Sequence, residues 1–301
     1  MRVGVTGSSG FIGTALVRAL VERGDDVVRF VRPGAESTPS TVRWDPTRDL
    51  VDDQDMKRVG RFDAVVHLAG AGLADKRWND SRKNEILSSR TQSTSLLVRT
   101  LSSFEATPML ASGSAIGFYG SRGDETLDES SSSGEGFLAD ACVKWEESAI
   151  PLRAHGTNVA LLRTGIVLDR RGGSLKRQLP LFQWGVGGTL GDGHQWTSPV
   201  SLRDEIRAIL WVIDQRVDGP VDLTCPTPIT NRDFTSVLAH AMNRPHAFRV
   251  PRAALNLVLG AQLTNEAVLA SQRVLPRVLL DGGFSFEHPD ATEIVRAALK
   301  K

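Results

Sequence analysis

A chain of 301 residues can build one large core or a core with a satellite unit. Its 36 basic and 35 acidic side chains leave a net charge of +1, with none of the basic excess that marks a nucleic-acid binder. Two cysteines, Cys142 and Cys225, make no disulfide framework, no Cys/His cluster has metal spacing, and no apolar run approaches the ~18–20 residues of a membrane span.

The chain starts MRVGVTG, already a short strand from Arg2 to Thr6 that meets glycine, with no long apolar leader. Together with the unpaired cysteines this predicts a cytoplasmic protein with no membrane partner. Phe11, Ile12, Ala15, Leu16, Ala19 and Leu20 recur at helical spacing, and Gly24 is the expected C-cap. Strands are predicted at Val27 to Val31, Thr41 to Trp44, Asp63 to Leu68 and Pro108 to Ser112. A long helix is predicted over 80–104, another over 137–155, and a further strand from Asn158 to Arg163. Strands alternating with helices predict an α/β fold, a parallel sheet covered on both faces. The second half differs. Residues 170–198 are glycine-rich and carry Trp184 and Trp196. Helices are predicted over 203–214, 230–243 and 251–271, with a strand from Gly219 to Thr224. The serine-rich stretch Glu129 to Gly136 reads as a mobile loop.

TGSSGFIG places Gly7, Gly10 and Gly13 between a strand and an amphipathic helix. One glycine serves the tight turn, one the approach of a pyrophosphate, and one close helix–strand packing. The helix start, Ser9 to Ile12 with Phe11, offers N–H groups and a positive dipole end to phosphates. The second strand ends Phe30-Val31-Arg32 and has no acidic residue for a ribose 2′-hydroxyl. An arginine there suits a 2′-phosphate, so the expected cofactor is NADP(H). Asp45, after the third strand, is a candidate for the adenine amino group or a turn-forming Asp-Pro. Leu68, Ala69, Gly70 and Gly72 form a small-residue loop at a strand's carboxyl end, where open sheets bind ligands.

TGSSGFIG, the HLAG after the fourth strand and SGSAIGFYG after the fifth resemble an extended short-chain dehydrogenase/reductase. More narrowly, ADKRWNDSRKNEILSSR (74–90), GFYGSRGDE (117–125), LLRTGIVL (161–168), GDGHQW (191–196), PITNRDF (228–234) and SQRVLPRVLLDGGFSF (271–286) resemble an atypical subgroup. That subgroup is NAD-dependent epimerase/dehydratase-like with a C-terminal domain of unknown function. The resemblance implies a Rossmann doubly wound sheet over 1–168, with 203–225 joining it. A smaller C-terminal α/β substrate-binding domain would take 169–202 and 226–301, with NADP(H) between the two. It places Ser114 on the family's catalytic serine or threonine, downstream of Ser112 on the same cofactor-side strand. Arg163, Thr164 and Gly165 fall on the strand and loop beside the nicotinamide, and Arg90 on a helix facing the cofactor cleft. Pairing into a homodimer through the long helices 80–104 and 137–155 is an analogy at fold level. Where members commonly read QW-x-S-W and then Ile-His, this chain reads Gln195-Trp196-Thr197-Ser198-Pro199-Val200-Ser201, losing a tryptophan and a histidine of the pocket edge.

The second departure is FLADACVKWE, Phe137 to Glu146, where ordinary members carry Tyr-x-x-x-Lys. With Glu146 as anchor, Leu138 falls in the tyrosine slot and Cys142 in the lysine slot. Leucine cannot donate a proton. Lys144 lies about 200° further round the helix, towards the opposite face. The candidate replacements are Ser114, Tyr119 as an acid or as a packed aromatic, and Cys142 as a pocket thiol or an inert one. Gln195 and Trp196 are candidate pocket lining. Two functions stay open: an NADP(H)-dependent oxidoreductase or epimerase of a small carbonyl or sugar-like substrate, or a catalytically silent NADPH-sensing protein.

Overall fold

The computed structural model describes residues 1–245 and 248–300. Its centre is an eight-stranded sheet. In chain order the strands are Arg2–Thr6 (β1), Asp26–Val31 (β2), Thr41–Asp45 (β3), Leu50–Val51 (β4), Ala64–His67 (β5), Met109–Ala115 (β6), Val159–Thr164 (β7) and Gly219–Leu223 (β8). Across the sheet they run β8-β7-β6-β5-β1-β2-β3-β4, all parallel except the β3–β4 pair. The order reverses between β1 and β5. In an open parallel sheet that switch point is where ligands bind, beyond the strands' carboxyl ends.

Both sheet faces are apolar because both are covered. On one face Val3, Val5, Met109 and Leu162 pack against Leu16 and Leu20 of α1 (Phe11–Glu22) and against Ile206 and Ile209 of the helix Leu202–Asp214. On the other, Val28, Phe30, Val65, Leu110 and Leu161 pack against Leu97 and Leu101 of the helix Asp80–Ser102 and Leu152 beyond the helix Phe137–Ala149. Strand alternation therefore turns Leu110, Ser112 and Ser114 of β6 to one side.

A smaller core joins Leu175 and Phe182 of the helix Gly173–Gln183, Phe234 and Leu238 of Asn231–Ala241, and Ile294 and Val295 of Ala291–Leu299. The C-terminal segment is not confined to this unit. Leu279 and Phe284 return to the core of the main sheet, where Phe284 meets Trp211 edge-on at 6.3 Å. The single helix expected over 251–271 is broken instead into Arg252–Leu259, Ala261–Leu263 and a π-turn Thr264–Val268, interrupted at Gly260 with φ +91°. The serine-rich loop is tethered rather than loose. Its first residue, Glu129, accepts hydrogen bonds from the backbone N–H groups of Asp222, Arg277 and Val278 at 3.0–3.2 Å. Among the described residues no helix is long and apolar enough to cross a membrane.

Candidate active site

The first wall of the cleft is the turn from β1 into α1. Gly7 has φ +64°, and a Cβ there would lie 2.6 Å from the carbonyl oxygen of Leu68. A Cβ on Gly13 would collide with the carbonyl oxygen of Gly7. These two positions accept only glycine because the turn must pass under the β5 loop and the helix must pack onto the turn. Gly10 is the N-cap of α1 and no side chain bonds the helix's first N–H groups. Ser9 is exposed beside them. An uncapped, glycine-lined helix start fits a diphosphate. Phe11 and Ile12 are half-buried, Phe11 lying against Gly172 and Gly173 and Ile12 against the main core.

The Leu68–Gly70 loop is fixed from below. The hydroxyl oxygen of Thr6 accepts the N–H groups of Leu68 and Ala69 at 3.1 and 3.2 Å. Its proton goes to His67 Nδ1 at 2.7 Å. The Thr94 hydroxyl donates to the Arg90 carbonyl, so at 3.0 Å it accepts from His67 Nε2. This pattern requires a neutral imidazole. Burial agrees with it, pushing the His67 pKa down to about 3. Gly72 is exposed, and its carbonyl accepts from Arg82.

At the far side of the cleft Arg32 is exposed and makes no ion pair with any described residue. Its donor fork is free for an anion. Asp45 has taken the turn-forming option: its carboxylate caps the turn Pro46–Arg48, accepting from Thr47 N at 3.1 Å and Thr47 Oγ1 at 2.6 Å.

Beneath the carboxyl ends of β6 and β7 lies a buried polar chain. Ser114 Oγ donates to Glu146 Oε1 at 2.6 Å. Arg163 grips both oxygens of Glu146, with Nε and Nη2 each at 2.9 Å. Arg163 Nη1 donates to the Tyr119 hydroxyl at 3.0 Å, and Tyr119 donates to Asp222 at 2.8 Å. The Arg163 guanidinium also lies over the Phe118 ring at 3.5 Å. A bidentate pair with every partner bonded is the arrangement in which buried charge is tolerated.

This chain corrects one expectation. Tyr119 is fully buried, and burial together with Asp222 pushes its hydroxyl above the ordinary phenol range. It is a structural link, not an acid facing the cleft. Burial, reinforced by Glu129, likewise holds the Asp222 carboxyl well above its usual value.

Three further expectations are corrected. Ser112 is fully buried within β6, so its side chain does not line the cleft. Cys142 is buried beside Gly117, and burial, with Glu146 nearby, pushes its thiol up to about 12, which makes it inert. Gln195 is buried and spends its amide on the Leu190 carbonyl at 3.0 Å. Trp196 stays half-exposed; its indole N–H donates to Asp124 at 2.8 Å and the Arg273 guanidinium stacks on it at 4.4 Å.

Leu138, in the tyrosine slot, is buried, and its backbone N–H donates to Glu266 at 2.9 Å. Thr164 donates to Glu205 Oε1 at 2.9 Å; a Cβ on the neighbouring Gly165 would collide with the Ser198 carbonyl. Glu205 is fully buried, its second oxygen has no partner, and burial raises its pKa to about 8.

Sequence reasoning missed Asp222 and Glu205 as members of this site, and placed Arg163 beside the nicotinamide without its pairing to Glu146 and Tyr119. The available signal was a charged residue inside each apolar strand or helix run, LLRT, VDL and DEIRAI, since a charge there must be paired.

Comparison with known proteins agrees with this architecture. Residues 3–137 match the NAD dependent epimerase/dehydratase family, and residues 250–298 match a domain of unknown function, DUF1731. The epimerase family protein Mb2239 of Mycobacterium bovis is 39% identical, with 95% of this chain and 93% of that protein covered. A chloroplastic SDR39U1 homologue of Arabidopsis thaliana is 34% identical over 100% of this chain and 87% of its own. The crystal structure of human SDR39U1, determined with NADPH, superposes with a TM-score of 0.89 at 29% identity and 99% coverage of both chains. A Rossmann sheet, a glycine loop at its switch point and end-to-end likeness to these proteins place the chain in the NAD dependent epimerase/dehydratase family, among its SDR39U1-like members.

Proposed function

We propose that this protein binds NADP(H) and acts as an oxidoreductase or epimerase on a small carbonyl or sugar-like substrate without a Tyr-x-x-x-Lys pair. The uncapped start of α1 would hold the diphosphate and Arg32 the 2′-phosphate. The human relative crystallised with NADPH supports the choice of cofactor. When bound, the nicotinamide supplies a hydride donor or acceptor.

The observation that carries the reading is the 2.6 Å bond from Ser114 to Glu146 at the carboxyl end of β6. Because the Ser114 proton already points to Glu146, its oxygen is presented as an acceptor. A substrate hydroxyl can give its proton to Ser114 Oγ as Ser114 gives its own to Glu146 Oε1; the reverse transfer protonates a developing alkoxide. Arg163 holds the Glu146 carboxylate in place for that exchange.

The second reading, a silent NADPH sensor, is favoured by the sealing of Tyr119 and by Leu138 in the tyrosine slot. A carbonyl panel followed at the nicotinamide absorbance separates the two. The enzyme reading expects NADPH consumption that falls about 10²-fold or more in Ser114→Ala. An epimerase consumes no net cofactor, so a sugar panel followed for epimer interconversion runs beside the carbonyl panel; tight binding with neither consumption nor interconversion supports the sensor.

A further inference from the structure

Arg90, on the helix Asp80–Ser102, is a guanidinium without a counter-ion among the described residues. Only one hydrogen bond is made by its side chain, from Nη1 to the Ile86 carbonyl at 2.9 Å, and no described acid pairs with it. A guanidinium carries five N–H donors, so most of the fork is unspent. The group is half-buried, and burial pulls its pKa below the ordinary arginine range. One face stacks on the Trp145 ring at 4.9 Å. The guanidinium also lies against Gly70, where a built Cβ would sit 3.4 Å from its carbon, in ordinary contact. Cys142 is close enough for Arg90 to act on its thiol. A desolvated cation held on an indole and walled by glycine is built to meet oxygen-rich, negative chemistry.

Its place in the sheet says which oxygens. Arg32 ends β2, on one side of the phosphate loop; Arg90 stands over the β5 loop, on the other side. With the diphosphate on the start of α1 and the adenosine half towards β2, the remaining half of a dinucleotide extends over β5 and β6, towards Arg90 and Cys142. We propose that the Arg90 guanidinium binds the nicotinamide-ribose half of the dinucleotide, supplying from the neighbouring helix the fixed cation that Cys142 cannot provide. The inference rests on the NADP(H) reading above and adds a division of labour: Arg32 for the adenosine half, Arg90 for the nicotinamide half.

The test is a calorimetric titration of the full chain with two probes, NADPH and adenosine 2′,5′-bisphosphate, which lacks the nicotinamide half. Arg90→Met should weaken NADPH about tenfold to a hundredfold and leave the bisphosphate within about twofold, the loss expected for hydrogen bonds to a charged group. Arg32→Ala should weaken both probes. Should Arg90→Met unfold, Arg90→Lys carries the comparison: it keeps the charge without the fork, so a smaller loss confined to NADPH is expected. Equal losses of both probes, or none of either, in the folded Arg90 variant would overturn the inference while the NADP(H) reading stands. A wild-type chain that binds neither probe would remove that reading, and this one with it.

Discussion

The Tyr119 hydroxyl accepts from Arg163 and donates to Asp222 with no exposure to solvent. Tyr119→Phe leaves a buried carboxyl and one guanidinium N–H short of a partner. Stability should drop by about 1–3 kcal/mol in urea unfolding, while any Ser114-dependent turnover per folded molecule is retained. Unchanged stability with lost turnover would instead make Tyr119 the acid. At this scale the glycine positions were legible because the chemistry that demands them is local: Gly7 and Gly13 on steric grounds, Gly10 at the open start of α1. The Tyr119–Asp222 bond spans 103 residues and the Ser114–Glu146 bond 32, and no local spacing encodes either. Tyr119 was open to both readings, acid or packed aromatic, because only its burial decides between them. Arg32 was legible as a strand-end cation, and its freedom from any acid partner required the fold.

The central elements follow from apolar periodicity, which is why most strands and the helices around the sheet were readable from the sequence. Connections were harder. Glu129 to Gly136 has the composition of a loose loop, but Gly134 packs directly against the Tyr119 carbonyl and Glu129 receives three backbone N–H groups. Glu129→Ala should therefore cost about 1–3 kcal/mol in the same measurement, above a surface substitution, since three backbone N–H groups lose their acceptor. A loss below about 0.5 kcal/mol would mean that the tether is not needed. The broken helix over 251–271 shows the same limit: its residues are good helix formers, and one glycine with positive φ redirects the chain so that Glu266 can reach the N-terminus of the helix Phe137–Ala149.

At the scale of the molecule, stability depends on pH through Glu205, a buried acid bonded to Thr164 at the end of β7. Its pKa is about 8 in the folded chain against an ordinary value of 4.5, so the folded state holds a proton that the unfolded state has released. The stability tied to that proton is present below about pH 4.5 and is lost as pH rises to 8 and beyond. Glu205→Gln removes the titration and keeps an acceptor for Thr164. The unfolding free energy of the wild type should fall relative to this variant between pH 5 and pH 9, by at most about 1.4 kcal/mol per pH unit. A constant difference between the two would show that Glu205 does not titrate in this range.

Cofactor choice is the claim on which site and function both depend. The most direct measurement is a titration of the wild type and Arg32→Ala with NADPH and NADH. The structure predicts NADPH binding at least about tenfold tighter than NADH, as a charge-assisted bond to the 2′-phosphate would give, with the preference collapsing in Arg32→Ala through loss of NADPH affinity alone. Equal affinity for the two nucleotides, or a preference for NADPH that survives Arg32→Ala, would contradict the account.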